Sequence, residues 1–408
     1  MNRDAAVPHR HVHPSAFMFL ITPFGVMGGY VSVAVAYYLT KAGVSVAETA
    51  GVVALGLLPH TWKFLWSPVA DTTLPRKAWY QLSNLISALG IFAMGAIPPT
   101  RAALPLLSAV IFIANFASTI QGMAVESLMA FNASDEEKGR AGGWFQAGNL
   151  GGGGVGGGAG LWLAQHLAAP WMASAILAAA CLLCSLALLA MPEPPRAIGG
   201  EGWKEKAREL GHDLWSVARS RAGLLSLILC FLPLGSGAAA GLWSAVADSW
   251  KATPNTVALV TGVLGGVVSA LGCLAGGWIS DRMHRRTAYA AYGILQALCA
   301  IAMGVAARTE TNYIIFTMLY AFITGLTYVG FTAFVLEAMG LGAAATKYSI
   351  FASLSNTPIY YMTRVDGWAF GKWGAGGMLY AEAAAGGIGL LLFGLTLLLV
   401  PKQNTATR

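Results

Sequence analysis

The chain has 408 residues, 56% of them hydrophobic and 11% charged, with a formal net charge of +7 and a mean hydropathy of +0.61. A soluble domain of this length needs far more polar surface, so the composition points away from soluble enzymes and makes lipid the bulk solvent. The positive charge then reads as membrane topology and not as nucleic-acid binding. In chain order, apolar runs of about 20 residues, long enough to cross a hydrocarbon core, fall at 15–40, 47–69, 79–98, 102–130, 141–164 and 170–191. Six more fall at 223–247, 257–280, 287–307, 311–340, 343–368 and 376–400. Runs that are apolar throughout, without alternation, predict helices and not barrel strands. The expected fold is therefore an all-α membrane protein with 12 transmembrane helices.

Residues 192–221 interrupt this pattern with Pro192-Glu193-Pro194-Pro195-Arg196 and a charged stretch. Within it Trp203, Ala207, Leu210, Leu214 and Val217 recur at helical spacing among charges, predicting an amphipathic helix, either at a membrane interface or as a solvated connector. The expected organisation is a tail at 1–14, a six-helix bundle at 15–191, a linker at 192–221, a second six-helix bundle at 222–400 and a tail at 401–408. Lys and Arg divide roughly 18 to 6 between the two sides, with Lys63 inside a span, which predicts both termini in the cytoplasm. The first span is too long for a signal-peptide core and is expected to be retained.

The halves echo one another. Asp71 and Asp281 are 210 residues apart, Glu126 and Glu337 are 211 apart, and Asn149 and Asn356 are 207 apart. A near-constant offset is the mark of a parallel repeat. The segment from Gly276 and Gly277 through Asp281, Arg282, Arg285 and Arg286 resembles the signature loop of the major facilitator superfamily. In the first half the echo is weaker, with Trp66 and Ser67 in the glycine places and Thr72 after Asp71. The resemblance implies two six-helix pseudo-repeats that rock about a central cavity, with the aspartate and arginines locking one side. Three shorter pieces are similar to AmpG-type muropeptide permeases of the peptide and acetyl-CoA transporter group: 62–68 (Trp62 to Pro68), 156–164 (Gly156 to Ala164) and 345–355 (Ala345 to Ser355). This implies proton-coupled uptake of cell-wall fragments across a bacterial inner membrane. A siderophore or acyl-CoA transporter of the same fold is the alternative, and a membrane-embedded transferase is a third reading for which no nucleophile or acid-base cluster stands out.

A charge within a bilayer needs a partner, a wet cavity or a route to the interface. Lys63 can snorkel, attract an anionic solute or pair with a carboxylate. Glu126 and Glu337 are read as coupling or gating carboxyls, or as structural ion pairs such as Glu126 with Arg140. Asp71, Asp281, Arg282, Arg285 and Arg286 are gating candidates by the resemblance. Lys63, Tyr37, Trp66, Asn149, Tyr348, Asn356, Tyr360 and Arg364 are candidates for the solute cavity. Arg364 and Asp366 are expected to form a local ion pair or an outer gate, and Glu382 to be interfacial. The partners expected are a small-molecule solute, protons and the lipid bilayer. Cys181 and Cys184 read as small hydrophobes in a span, and His9, His11 and His13 as a disordered tail, so no metal or cofactor is expected.

The run 151–158, with Gly151-Gly152-Gly153-Gly154 and Gly156-Gly157-Gly158 around Val155, is expected to permit close helix approach and bending. It is not a phosphate loop, since no Gly-Lys-Ser/Thr follows it.

Overall fold

The computed structural model describes residues 12–132, 138–193, 202–219, 227–280, 282–339 and 345–399. Every regular element among them is helical. In chain order they are α1 (Ser15–Lys41), α2 (Val46–Thr61), α3 (Ser67–Thr72), α4 (Arg76–Ala96), α5 (Leu104–Asn132), α6 (Lys138–Gly154), α7 (Gly160–His166) and α8 (Pro170–Cys184). Then come α9 (Trp203–Arg219), α10 (Trp243–Val246), α11 (Pro254–Ser280), α12 (Arg285–Val305), α13 (Glu310–Met339), α14 (Ala345–Leu354) and α15 (Asn356–Leu399). Among the described residues, seven helical stretches are long and apolar enough to cross a membrane. Their outward faces are apolar too: Leu189 is 81% exposed and Leu398 83% exposed, as lipid-facing side chains are.

Several apolar runs that read as single helices are interrupted. α1 passes through a π turn at Tyr30–Val35, and α6 joins α7 through another at Val155–Ala159. α2 ends at Thr61 and gives way to a 3-10 turn, Lys63–Trp66, before α3. The expected loop between the last two spans is a corner inside α15, where Gly374 takes φ 67° and ψ −166°, a left-handed backbone that favours glycine.

The run at 223–247 departs most from a plain helix. Pro233 lacks an N–H, and Gly235 and Gly237 adopt φ of 62° and 68°. The helical path is lost after Cys230 and resumes as a 3-10 turn at Ala238–Leu242. In lipid the freed backbone groups need partners. Tyr361 donates its hydroxyl to Phe231 O at 2.7 Å, Tyr289 donates to Leu234 O at 3.1 Å, and the Ala239 N–H donates to Glu382 Oε2 at 3.0 Å. These bonds satisfy three of the backbone groups that the break frees.

Packing follows the glycines. α1 lies against α6, and a Cβ on Gly148 or Gly156 would come within 2.2 or 2.1 Å of the Met18 or Val26 carbonyl oxygen. Gly154 and Gly158 bring the same strip against Gly262 of α11. α11 meets α13 in the same manner, with Gly272 against Phe322 O and Gly325 against Ser269 O. Small residues replace side-chain interdigitation with direct backbone contact, which is how helices gain packing where both neighbours and solvent are apolar. The interaction of α15 with α2 joins the end of the chain to its beginning: a Cβ on Gly367 would sit 2.2 Å from Ala50 Cβ.

α9 is the amphipathic helix expected in the linker. It packs on α3 and α14, and Leu214 joins a small cluster with Phe64, Ile350 and Leu354. The α9 end of the molecule is called the linker end below, and the opposite one, with the α1–α2 and α13 entry turns, the far end.

Candidate functional site

Lys63 and Glu126 come together near the linker end. The 3-10 turn after α2 presents Lys63 Nζ to Glu126 Oε1 of α5 at 3.4 Å. Of the alternatives open to Lys63, pairing with a carboxylate is the one found; the Arg140 side chain, the partner expected for Glu126, lies outside the described residues. Trp66 is held beside this pair: its Nε1–H donates to Thr119 Oγ1 at 3.2 Å, and its ring tilts on Phe116 at 4.6 Å. At the start of α4, Arg76 donates from Nε to Ser127 Oγ of α5 and from its guanidinium to Ala70 O, while Glu193 accepts from the Arg76 and Lys77 N–H groups.

At the far end, Tyr37 is buried, edge-on to Tyr38 and beneath the Lys41 ammonium, 5.5 Å away. Asn149 is half-buried and bonds Gln146 at 3.4 Å. Asn356 bonds back to Ala352 O within its own helix region at 2.9 Å, and Tyr360 is half-buried. Arg282 lies 3.9 Å over the Trp278 ring and donates to Trp278 O. Glu337, Tyr348, Asp71, Arg285 and Arg286 sit in or at helices, but their side chains, like all of Asp281, lie outside the described residues.

Two expectations for the end of the chain are corrected. Arg364 and Asp366 do not pair. Arg364 is exposed, while Asp366, two positions on, is 0% exposed and has no hydrogen-bond donor at either carboxyl oxygen. Two residues apart on a helix is about 200°, so the helix turns them to opposite sides. Glu382 is likewise not interfacial but 5% exposed, and its carboxyl meets that of Asp366.

The resulting cluster was not foreseen. Asp366 and Glu382 each stand eight residues from Gly374, so the corner there places them at one depth. Glu382 accepts the Tyr320 hydroxyl of α13 at Oε1 and the Ala239 N–H from the broken segment at Oε2. Tyr320 is fully buried and meets the Trp243 ring edge-on at 5.2 Å. Gln296 of α12 donates to Thr324 one turn along from Tyr320. Four parts of the chain thus converge on two carboxyls, with no ion pair to either among the described residues. The even spacing about a glycine was the sequence signal that could have found the pair, and Pro233 with Gly235 and Gly237 was the signal for the break.

An all-helical membrane fold with small-residue seams, a broken helix and buried carboxyls is the build of a solute transporter. Residues 15–363 match the family model of the Major Facilitator Superfamily, and the chain belongs to that superfamily. It is a transporter and not an enzyme by family and by relatives. The anhydromuropeptide permease of Escherichia coli strain K12 is 27% identical over 369 residues, covering 88% of this chain and 73% of that protein. The counterpart in Escherichia coli O157:H7 gives the same figures. Among solved structures, a D-xylose-proton symporter superposes with a TM-score of 0.73 at 14% identity, covering 96% of this chain and 99% of its own. A nucleoside transporter superposes with a TM-score of 0.71 at 15% identity, over 94% of this chain and 98% of its own. At such identities these likenesses concern the fold alone.

Proposed function

We propose that the protein is a proton-coupled importer of a medium-sized polar solute of the muropeptide class, working by alternating access in a bacterial inner membrane with both termini in the cytoplasm. The observation that carries this reading is the 27% identity to the anhydromuropeptide permease, sustained over 88% of the chain. Its orientation rests on the excess of Lys and Arg at the linker end. Its moving parts are the bundles at 15–191 and 222–400, joined by the linker at 192–221.

The geometry supports the mechanism as follows. At the far end, α1 is tied to the residues after α10 by Lys41 and Asp248 at 2.7 Å, and Ser244 donates to Ser32 O at 2.7 Å. The Gly367 seat on Ala47 and Ala50 closes the same end between α15 and α2. Alternating access requires such contacts to break and re-form around a fixed solute site. Glu126, held by Lys63, acts as a gate residue at the linker end, and Glu337 is its proposed counterpart in the second half. The Asp281 to Arg286 loop is proposed to act with them. Trp66, Asn149, Tyr348, Asn356 and Tyr360 are proposed to border the solute cavity.

The test is uptake of labelled anhydromuropeptide by proteoliposomes with an acid exterior. Accumulation above the equilibrium level, abolished by a protonophore, is the expected result. No accumulation by monodisperse protein sinks the substrate assignment, and accumulation of a ferric siderophore or an acyl-CoA in parallel assays replaces it.

A further inference from the structure

Two ionised carboxyl groups that face each other in a buried interior present four acceptor oxygens and no donor of their own. Both cannot be ionised there without a compensating cation, because burial penalises charge and like charges repel. Glu382 is supplied with two donors, the Tyr320 hydroxyl and the Ala239 N–H. Asp366, wholly buried, is supplied with none, and the polar groups that face it are the Glu382 carboxyl and the Tyr320 hydroxyl. The other titratable groups facing the pair are Tyr320 and Cys299; the Cys299 thiol is turned to Phe316 O at 3.9 Å. Among the described residues no Lys, Arg or His is within ion-pair distance of either carboxyl, and no group of three His, Cys, Asp or Glu is placed to hold a metal ion.

We infer that Asp366 and Glu382 form the proton-binding site of the transport cycle, sharing one proton that Asp366 donates to the Glu382 carboxylate. This rests on the proton-coupled reading above and names the coupling site for it.

The location makes the proton count mechanically. Asp366 directly precedes Gly367, the residue of α15 that seats on Ala47 and Ala50 of α2. Glu382 holds the N–H at which the broken segment regains its helical path, four residues before α10 and nine before Asp248. With the proton bound, a hydrogen bond joins the two arms of the Gly374 corner and both far-end contacts are supported. When the proton leaves, two buried carboxylates repel across that corner. The strain bears on the α15 to α2 seat and on the segment leading to the Lys41–Asp248 pair, so deprotonation favours opening of the far end. The pair titrates as a unit.

Asp366→Asn separates the possibilities, because an asparagine amide donates to Glu382 as the protonated acid does and cannot release that proton. The full chain in detergent should show an infrared C=O band of a protonated carboxyl at neutral pH that disappears in D366N. In proteoliposomes D366N should lower pH-driven accumulation of anhydromuropeptide at least tenfold while exchange of solute across the membrane stays within twofold of wild type. Absence of the band in wild type overturns the shared proton. So does D366N that still accumulates solute under a pH gradient, or accumulation driven by a sodium gradient alone. If wild type moves no anhydromuropeptide, the substrate reading fails while the infrared band still decides the proton site. Should D366N not fold, Glu382→Gln decides instead: the Asp366 acid loses its carboxylate acceptor, so the band should shift in frequency, and a band unmoved in Glu382→Gln would overturn the inference.

Discussion

Lys41 Nζ lies 2.7 Å from Asp248 Oδ1 and 2.9 Å from Oδ2, joining the last turn of α1 to the residues just beyond α10, 207 positions along the chain. The side chains are 43% and 66% exposed, so the pair is solvated at the rim and contributes on the order of 1 kcal/mol or less. A contact of that size suits a gate, because it biases the closed far end without making it permanent.

The first prediction follows from that magnitude. On a cysteine-free background, Ser244→Cys should react slowly with a membrane-impermeant thiol reagent, since Ser244 is buried against Ser32. Adding Asp248→Asn should raise the labelling rate roughly 2- to 5-fold, which is what up to about 1 kcal/mol does to a two-state ratio. An unchanged rate would mean the pair does not bias the far end.

Glu126 and Asp366 should part company in transport assays. Glu126 is engaged by Lys63, so Glu126→Gln weakens a gate contact and should depress solute exchange and pH-driven uptake together. Asp366→Asn should depress pH-driven uptake alone. Measuring both activities on both variants checks this, and a Glu126→Gln protein that loses only the pH-driven component would assign coupling to Glu126 instead.

The glycine run in α6 should not tolerate substitution evenly. Gly151 has open space where its Cβ would be, so Gly151→Ala should leave the melting temperature unchanged or raise it slightly. Gly156 has the Val26 carbonyl oxygen 2.1 Å from that position, and Gly156→Val must push α1 and α6 apart. Overpacking of this kind costs about 1–3 kcal/mol, read as a lower melting temperature of the detergent-solubilised protein.

Gly237 sits at φ 68° with Thr324 Cγ2 3.0 Å from an added Cβ. Gly237→Ala should destabilise the protein by roughly 1–2 kcal/mol through strain at a left-handed backbone. Because Ala239 follows closely, the same change should disturb the N–H held by Glu382 and shift the carboxyl infrared band. A band that does not move would separate the broken segment from the carboxyl pair.

The residues differ in how openly they announced their roles. The amphipathic helix at Trp203–Arg219 was legible because its apolar positions repeat at the helical period, a property of neighbouring residues. The close helix approach at Gly151 to Gly158 was legible because small side chains in a span have few other uses. The fate of Lys63 was open among three partners, since the distance to Glu126 depends on how the turn at Lys63–Trp66 is set against α5. Asp366 was misread through Arg364, which is near it in sequence and turned away from it on the helix. Glu382 was misread because its closeness to one end of a span looked interfacial, while the chain folds back at Gly374 and takes it inside.

The amino-acid sequence by itself determined that this is a helical membrane protein of transporter build, with an amphipathic linker helix and glycine seams. Those features follow from composition, periodicity and residue size, which act over a few turns. The tertiary structure decided which charges meet: Lys63 with Glu126, Lys41 with Asp248, and Asp366 with Glu382 beneath a broken helix. A charge in lipid is governed by what lies within a few ångströms of it. In this fold those neighbours lie 63 and 207 positions away for the two ion pairs, and across the Gly374 corner for Asp366 and Glu382.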